Sequence, residues 1–364
     1  MGDKTGDLIL LAAAALLLSF GLVMGTSASA AIALEQFQDP YYYLKRQLVF
    51  AVVGTLFLVA ALRTDPQQWR KWVYPLLVLT FLALVVVLIP WIGREVGGAR
   101  RWLRLGPVSL QPAELAKFTA ILYTAHSLDK RGERIEDFTF GYMPNLVVLS
   151  LFFVLLLLEP DLGTALVLAI VVLSLLLVGG ARLSHLVATG LMSLPFLYVA
   201  IEGTAYRRRR ILAFLDPWGD PQDSGFQLIQ SFLAFGKGGF WGLGLGEGRQ
   251  KLFYLPEPHT DFIFSVVGEE LGFIGATAVV VLFTVLVWRG FRIAQRCREP
   301  FRRYLAFGVT LGIAVQALIN MGVVMGMLPT KGLALPFVSM GGSSLVMNLM
   351  MVGILLNLSR TQQG

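Results

Sequence analysis

Long apolar segments recur along almost the whole chain, and they limit what it can fold into. Windows of about 20 apolar residues, the length that spans a bilayer as a helix, occur ten times in this 364-residue sequence. They cover residues 8–31, 47–62, 73–92, 113–128, 142–159, 162–179, 184–201, 262–288, 304–327 and 345–358. Only 15% of residues are charged, whereas soluble domains carry about 25%. The pattern therefore predicts an all-α, polytopic membrane helix bundle.

Residues 202–261 interrupt this pattern between the seventh and eighth predicted helices. The segment contains YRRRR, DPWGDPQDSG and GKGGFWGLGLGEGRQK, together with several large aromatic side chains. Loops of this length inside a compact domain are usually functional or disordered, and the aromatic residues predict partial order against the membrane surface. Since no repeat or soluble domain is visible, residues 1–364 are interpreted as one membrane domain.

The distribution of arginines predicts the orientation. Residues 289–303 carry six arginines and one acid, so the positive-inside rule makes this short loop cytoplasmic. Counting helices from there places both termini in the cytoplasm and residues 202–261 outside. The same count also places the arginines of residues 93–112 outside, against the rule. Either the topology is inverted, or these cations bind something anionic on the outer side.

The stretch HTDFIFSVVGEELGF places Asp261, Glu269 and Glu270 in or beside an apolar run. Ionised groups cost roughly 2.5–3.5 kcal/mol each at the centre of a membrane helix. One interpretation is structural: Thr260 caps the helix and Asp261 lies in its first turn, where the helix dipole favours an acid. The other is that Asp261 lies at the lip of a polar cleft and takes a proton from a substrate hydroxyl. Packing or cleft polarity accounts equally well for Glu269 and Glu270.

The motif QPAELAK begins another predicted helix. Pro112 suits the first helical position, and the spacing of Gln111 and Glu114 suits a capping box. Glu114 and Lys117 are three residues apart and lie on one face. The pair either neutralises itself within the helix or faces the basic loop that precedes it.

Two further motifs combine polar residues with breaks in the apolar pattern. EPDLGTA places Glu159 and Asp161 around a proline, where capping by Asp161 is one explanation. LPTKGLALPFVSMGGSS is too rich in Pro, Gly and hydroxyl groups for a lipid-exposed helix, and irregular backbone at membrane depth lines a cavity or is buried in protein. Lys331, Ser343 and Ser344 either contact an anionic group there or belong to an ordinary loop.

Several function classes are disfavoured by the same residues. The glycine run of residues 236–248 follows no strand and lacks the Walker spacing, so it does not indicate a nucleotide site. The three histidines are scattered without metal-ligand spacing. Basic residues are divided among loops on both sides, so no nucleic-acid partner is expected.

Taken in order, these motifs resemble the SEDS family (shape, elongation, division and sporulation). The resemblance rests on GARRWLRLGPVSLQPAELAKF, EPDLGTA, YRRRRILAFLDPWGDPQDSGFQLIQS, GLGLGEGRQK through HTDFIFSVVGEELGFIG, and GMLPTKGLALPFVSMGGSS. DPWGDP, GLGLG and LPTKGL resemble the division and sporulation branch (FtsW and SpoVE) more than the RodA elongation branch, which stays the alternative. One departure is Met340, where many relatives have tyrosine.

The resemblance implies a fold of ten membrane helices and a peptidoglycan polymerase. Such an enzyme acts on lipid II, the undecaprenyl-diphosphate-linked precursor, at the outer face of the bacterial cytoplasmic membrane. Asp261 matches the family's essential acid and is the expected general base. Arg101, Trp102, Glu114 and Lys117 match a second cavity motif. The expected contacts to substrate are Arg101, Trp102, Glu114, Lys117, Asp161, Arg207, Arg210, Lys331, Ser343 and Ser344.

The remaining expectations concern cofactors, partners and rival functions. A divalent cation (Mg²⁺ or Mn²⁺) bridging the diphosphate to Asp161 or Glu114 is possible but not required. The resemblance implies a class B penicillin-binding protein as transpeptidase partner, with other divisome membrane proteins and the lipid bilayer. A lipid II flippase is the rival function, since intramembrane acids and a broken helix suit a transporter equally well. A scaffold that recruits the transpeptidase is a third alternative.

Overall fold

The computed structural model describes residues 7–96, 98–106, 108–251 and 258–360. Twelve helices lie within these ranges. They are α1 Leu8–Phe37, α2 Tyr42–Arg63, α3 Pro66–Leu88, α4 Pro112–Arg131, α5 Met143–Leu158, α6 Leu162–Val178, α7 Leu183–Glu202, α8 Ala205–Leu215, α9 Phe226–Gly238, α10 Ile263–Arg296, α11 Pro300–Val324 and α12 Gly342–Arg360.

The helical membrane bundle predicted from the sequence is confirmed. In the described part of the chain, eight helices are long and apolar enough to cross a membrane. The other two predicted spans are α6, which is apolar but has only 17 residues, and α4, which carries five charged residues along its length. Helix α4 tolerates these charges because nearly all of it is buried inside the bundle, mainly against α3, α6 and α11.

A small antiparallel sheet replaces the loop expected between α3 and α4. Its strands are β1 Gly93–Val96, β2 Ala99–Leu105 and β3 Val108–Leu110, in the order β1-β2-β3. Gly98 and Gly106 have φ values of 77° and 63°, a region that glycine adopts without a Cβ penalty. Strand β2 contacts α3 and α4, so the sheet brings the arginines of this segment to the end of the bundle that carries α6's first turn.

The partial order predicted for residues 202–261 is confirmed by α8 and α9. The Ser231 hydroxyl of α9 donates to the Val324 carbonyl at 2.6 Å, and the Phe235 and Phe264 rings are 5.8 Å apart. Helix α10 is interrupted at Gly272, whose φ of 63° is not helical. This break accepts the backbone that follows α9: a Cβ at Gly272 would lie 2.3 Å from the Gly242 nitrogen.

Ion pairs hold the opposite end of the bundle together. This end contains the beginnings of α1, α3 and α11 and the ends of α4, α10 and α12. Two pairs join these helices, Asp7–Arg289 at 2.6 Å and Arg70–Asp129, and a third pair, Glu299–Arg302 at 2.6 Å, lies within the start of α11. The three are named here the basal ion pairs. Asp7 also accepts a hydrogen bond from the Leu10 nitrogen and so caps α1.

Candidate active site

Asp261 lies in a turn just before α10. The helix begins at Ile263 after Phe262, so the prediction that Thr260 caps it with Asp261 in the first turn is wrong. Long-range bonds decide the turn instead. The Ser339 hydroxyl donates to the Thr260 carbonyl at 2.5 Å, and the Asn320 amide donates to the Asp261 carbonyl at 2.9 Å. Asp261 is thus held by its backbone.

The Asp261 carboxylate lies against an irregular segment between α11 and α12. This segment, residues 329–335, is named here the Lys331 segment. A Cβ added to Gly332 would be only 2.8 Å from Asp261 Oδ2. Lys331 is the neighbouring residue on this segment and is half-buried. Burial lowers the pKa of Lys331 to about 8, while the negative charge of Asp161 acts in the opposite direction. The Asp261 carboxylate therefore lies beside the backbone that follows Lys331, and the Asp161 charge acts on the Lys331 side chain.

The EPDLGTA motif forms the break between α5 and α6. Asp161 caps α6: its two carboxylate oxygens accept from the Thr164 nitrogen at 3.1 Å and from the Thr164 hydroxyl at 2.9 Å. The predicted capping role is therefore confirmed. The same turn packs on the Lys331 segment, because a Cβ at Gly163 would be 3.0 Å from the Leu333 side chain.

Three arginines reach this site through backbone carbonyl groups and are named here the carbonyl-held arginines. Arg101 donates to the Glu159 carbonyl at 3.1 Å and to the Pro160 carbonyl. Arg207 donates to the Ala200 and Leu157 carbonyls at 2.8 and 2.9 Å, and Arg210 to the Thr330 carbonyl at 3.1 Å.

The positive charge of two of these arginines is not neutralised by an ion pair. Neither Arg101 nor Arg207 forms a salt bridge with any residue that the structure describes. Burial, followed by the nearby charge of Arg101, lowers the pKa of Arg207, but a guanidinium stays protonated at neutral pH. Two fixed positive charges therefore lie beside the turn between α5 and α6.

Glu159 is the buried acid at the centre of this arrangement. Its side chain is fully buried, and neither carboxyl oxygen has a hydrogen-bond partner in the described ranges. Burial raises the pKa of Glu159 to about 9; Asp161 adds to the increase and Arg101 opposes it. Glu159 is therefore neutral at pH 7 and does not cancel the surrounding cations.

Glu114 and Lys117 form the predicted ion pair, at 2.9 Å and largely buried. Lys117 also donates to Gln316 of α11. The predicted capping box is wrong, because Gln111 makes no side-chain cap and Glu114 turns toward Lys117. The Gln111 nitrogen donates instead to the Ser343 hydroxyl at 3.1 Å.

The other predicted contacts lie around this centre. Trp102 follows Arg101 on β2, so strand alternation directs its side chain to the opposite face. The Ser343 hydroxyl accepts from Gln111 and donates to the Ser109 carbonyl. Ser344 is buried and accepts from Asn348 within α12. Both serines thus have partners inside the protein, and their contact with substrate stays a prediction.

Glu269 and Glu270 hold the glycine-rich segment that follows α9. Glu269 accepts from the backbone nitrogens of Arg249 and Gln250, at 3.0 to 3.3 Å. Glu270 pairs with Lys251 at 2.6 Å and accepts from Ser27 and from the Gly246 nitrogen. These acids are buried with partners, so packing of this segment explains them.

Comparison with known proteins agrees with this architecture. A model of the FtsW, RodA and SpoVE family, described as cell cycle protein, matches residues 7–364. This chain belongs to the FtsW/RodA/SpoVE family. It is a multi-pass membrane protein of that family.

Individual relatives cover nearly the whole chain. It is 50% identical to a probable peptidoglycan glycosyltransferase FtsW from Geobacter sulfurreducens, over 98% of this chain and 96% of that protein. It is 44% identical to stage V sporulation protein E from Bacillus subtilis, over 97% of each. A solved chain described under structural coordination of polymerization and crosslinking by a peptidoglycan synthase complex is 34% identical, with a TM-score of 0.81 and 98% of each chain covered. Thermus thermophilus RodA is 30% identical, with a TM-score of 0.73, over 99% of this chain and 98% of that one.

Sequence reasoning missed three polar residues at this FtsW/RodA/SpoVE site. Gln316, Asn320 and Ser339 are buried and bond the segment that carries Lys331. The available signal was the pair of amides one helical turn apart in α11, because buried amides in an apolar helix require partners. The serine offered no signal in the sequence.

Within the described ranges, no three acids, histidines or cysteines cluster in a way that could hold a metal ion. Of the two predicted ligands, Asp161 uses both oxygens on Thr164, and Glu114 is paired with Lys117. A cation that arrives with the diphosphate stays a prediction.

A cavity of about 10 Å³, which is room for about one water molecule, lies inside the bundle. It is bounded by α4, α6, α11 and α12 and is lined mostly by apolar side chains, with Lys117 and Gln316 as its polar members. A space of this size is too small for a sugar or a diphosphate.

Proposed function

We propose that this protein is a peptidoglycan glycosyltransferase that polymerises lipid II into glycan strands, with Asp261 as general base. The names of its FtsW and SpoVE relatives support the activity. The observation that carries the proposal is the Asp261 carboxylate packed on the segment of Lys331, beside arginines that keep their charge. The Asp261 carboxylate suits removal of a proton from the acceptor hydroxyl. The arginines and Lys331 suit binding of an anionic leaving group.

The proposed reaction uses both the Asp261 base and the cations beside it. The acceptor sugar hydroxyl attacks the anomeric carbon of the donor, while its proton passes to an Asp261 carboxylate oxygen. The bond from the anomeric carbon to the diphosphate oxygen breaks, and its electron pair leaves with the lipid diphosphate. Attack opposite the leaving group converts an α donor into a β linkage. A positioned general base typically contributes 10²–10⁴-fold in rate.

The developing charge on the diphosphate explains the arginines. Cationic clamps on a leaving phosphate lower the energy of the transition state, most of all in a site with little water. Arg101, Arg207, Arg210 and Lys331 serve as this clamp, with guanidinium groups able to contact two phosphate oxygens at once. Lys117 lies one layer deeper, where Gln316 connects it to the Lys331 segment.

The cellular setting follows from the same proposal. We place the site at the outer face of the bacterial cytoplasmic membrane, since the six-arginine segment 289–303 belongs to the opposite end of the bundle. A class B penicillin-binding protein, with other divisome membrane proteins, is the proposed partner set; the synthase complex among the solved relatives supports this. The higher identity to FtsW and SpoVE than to RodA supports a role in division or sporulation rather than elongation.

The flippase alternative requires a path from the cytoplasmic end. In this structure the Asp7–Arg289 and Arg70–Asp129 pairs join α1 to α10 and α3 to α4 at that end. This observation favours a site that opens to one side only. It supports the polymerase over the transporter.

The test is synthesis of glycan from labelled lipid II by the purified protein, with its cognate transpeptidase if the protein is inactive alone. Asp261→Asn is compared with the parent at matched expression and unfolding temperature. Glu247→Gln, at an exposed acid, is the control. We expect glycan ladders from the parent and the control but none from Asp261→Asn.

Other outcomes have distinct meanings. A ladder from Asp261→Asn as strong as that of the parent would remove Asp261 as the base and leave the polymerase intact. No ladder from the parent, even with the partner present, would contradict the polymerase proposal. Lipid II flipping in liposomes would then test the transporter.

A further inference from the structure

Helix α11 carries two buried amides that face the proposed site. Gln316 and Asn320 are one helical turn apart, so they lie on the same face. Burying an amide without a hydrogen-bond partner is unfavourable. Both side chains make hydrogen bonds to the segment between α11 and α12.

Asn320 connects two distant parts of the site. Its amide nitrogen donates to the Asp261 carbonyl at 2.9 Å and to the Leu333 carbonyl at 2.5 Å. These carbonyls flank the contact between the Asp261 carboxylate and Gly332. A single side chain therefore sets the spacing between the acid and the segment of Lys331.

The orientation of the Asn320 amide is determined by its surroundings. Two carbonyl oxygens require donors, so the NH₂ group must face them. The Asn320 Oδ1 atom has no hydrogen-bond partner in the described part of the chain. Rotating the amide by 180° would place Oδ1 against the two carbonyls. The bond to Asp261 thus requires an amide donor at this position.

The segment that Asn320 holds has little regular structure of its own. Residues 329–335 are neither helix nor strand. The Leu335 nitrogen depends on the Ser339 hydroxyl, at 2.7 Å, and the Ala334 carbonyl depends on Gln316, at 2.8 Å. Loss of one donor from α11 is therefore expected to change the position of the segment relative to Asp261.

We infer that Asn320 is a positioning residue for Asp261: it sets the distance between the base and the Lys331–Gly332 backbone through its two donated hydrogen bonds. This inference rests on the proposed function, because it assigns Asp261 the role of base. It adds that the rate of the chemical step depends on Asn320, a residue that does not itself react. A misplacement of about 1 Å in a catalytic site can cost about 100-fold in rate.

The test compares Asn320→Leu and Asn320→Asp with a matched control. Leucine is close in size to asparagine but has no hydrogen-bond donor. Aspartate keeps the shape of the asparagine side chain without its NH₂ group, and it serves as the second variant if the leucine variant does not fold. Asn145→Leu is the control, because Asn145 is equally buried, also has an unpartnered Oδ1, and donates only to the nearby Gly141 carbonyl. We expect kcat to fall by about 10- to 100-fold in both Asn320 variants. KM is expected to stay within about twofold, because only positioning of the base changes.

A second measurement does not require activity. Hydrogen–deuterium exchange is expected to increase at peptides covering residues 258–261 and 329–335 in the Asn320 variants but not in Asn145→Leu. Equal exchange and equal kcat in Asn320→Leu and Asn145→Leu would overturn the inference. If the parent makes no glycan, the proposed function fails, while altered exchange would still establish the structural link between Asn320 and Asp261.

Discussion

Arginines hold both ends of this bundle, but their partners differ. At the basal end, Arg289, Arg302 and Arg70 pair with carboxylates. At the Asp261 end, Arg101 and Arg207 donate to backbone oxygens and form no salt bridge with any described residue. A carboxylate cancels the charge of an arginine, whereas a carbonyl orients the side chain and leaves the charge in place. The first arrangement joins helices, and the second leaves a field that attracts anions.

Helix α8 repeats this contrast within four residues. Arg207 and Arg210 turn toward the bundle and bond carbonyls. Arg208 and Arg209 point outward and lie near Glu202 and Asp223, at 3.8 and 3.5 Å, on exposed side chains. Position on the helix therefore separates arginines suited to a site from arginines on a solvated face.

The basal end should respond to substitution mainly through stability. Removing one partner of a fully buried ion pair leaves an uncompensated charge and costs about 3–5 kcal/mol. The Asp7–Arg289 pair is part-buried, with side chains 6% and 17% exposed, so the lower end of this range applies. We expect Arg289→Gln to lower the free energy of unfolding by about 3 kcal/mol, with kcat of the folded fraction unchanged. Unfolding in detergent checks this, with Arg292→Gln as an exposed control. Loss of activity in Arg289→Gln at an unchanged free energy of unfolding would contradict the view that the basal end acts on stability.

The Asp261 end should respond mainly through rate. In Gly332→Ala the new methyl group would lie 2.8 Å from Asp261 Oδ2, so the carboxylate or the segment must move. We expect kcat to fall by about 100-fold. Steady-state kinetics at matched unfolding temperature measures it. Gly190→Ala is the control, because a Cβ there meets no atom within 4 Å; equal kcat in the two variants would argue against the assignment.

The charge of Lys331 should appear in the pH profile. With a pKa of about 8, the side chain is cationic at pH 7 and mostly neutral at pH 9. If its charge holds the diphosphate, kcat/KM falls by about tenfold over that range, since this ratio reports the free enzyme. Lys331→Arg should flatten the decrease because arginine stays charged. An identical decrease in the variant would assign it to another group.

Glu159 should give the smallest effect of the series. Its raised pKa, about 9, makes it neutral at pH 7, so Glu159→Gln removes no charge there. We expect activity within about twofold of the parent at pH 7, since the two side chains are close in size and both uncharged. Polymerisation rates at pH 7 check this. A tenfold loss would mean that Glu159 acts as an anion.

The fold was largely predictable from the sequence, because membrane helices need long apolar runs. The exceptions have local causes. The charged segment of residues 93–112 gave no alternating pattern, so its sheet was missed. Gly272 is a single glycine in an apolar run, and its break depends on contact with Gly242. Thr260 fits a cap by residue type, but Ser339 and Asn320 hold the turn in another conformation.

The site was predictable where motifs carry charge. The sequence and its family resemblance identified five charged residues of the candidate site: Asp261, Asp161, Arg101, Arg207 and Lys331. The atoms that these residues contact could not be predicted, because a sequence does not distinguish an arginine bound to a carbonyl from one bound to a carboxylate. The α11 amides were missed for a similar reason: their importance depends on partners 13 to 199 residues away.

Binding of a lipid diphosphate tests the account most directly. The probe is undecaprenyl diphosphate in nanodiscs, and the proteins are the parent, Arg207→Gln and Arg209→Gln, two substitutions in the same helix that each remove one charge. We predict that Arg207→Gln weakens binding by about tenfold, the loss of one charge-assisted hydrogen-bonded contact. Arg209→Gln should bind as the parent does. Equal affinities for Arg207→Gln and Arg209→Gln would contradict the claim that the carbonyl-held arginines form an anion site.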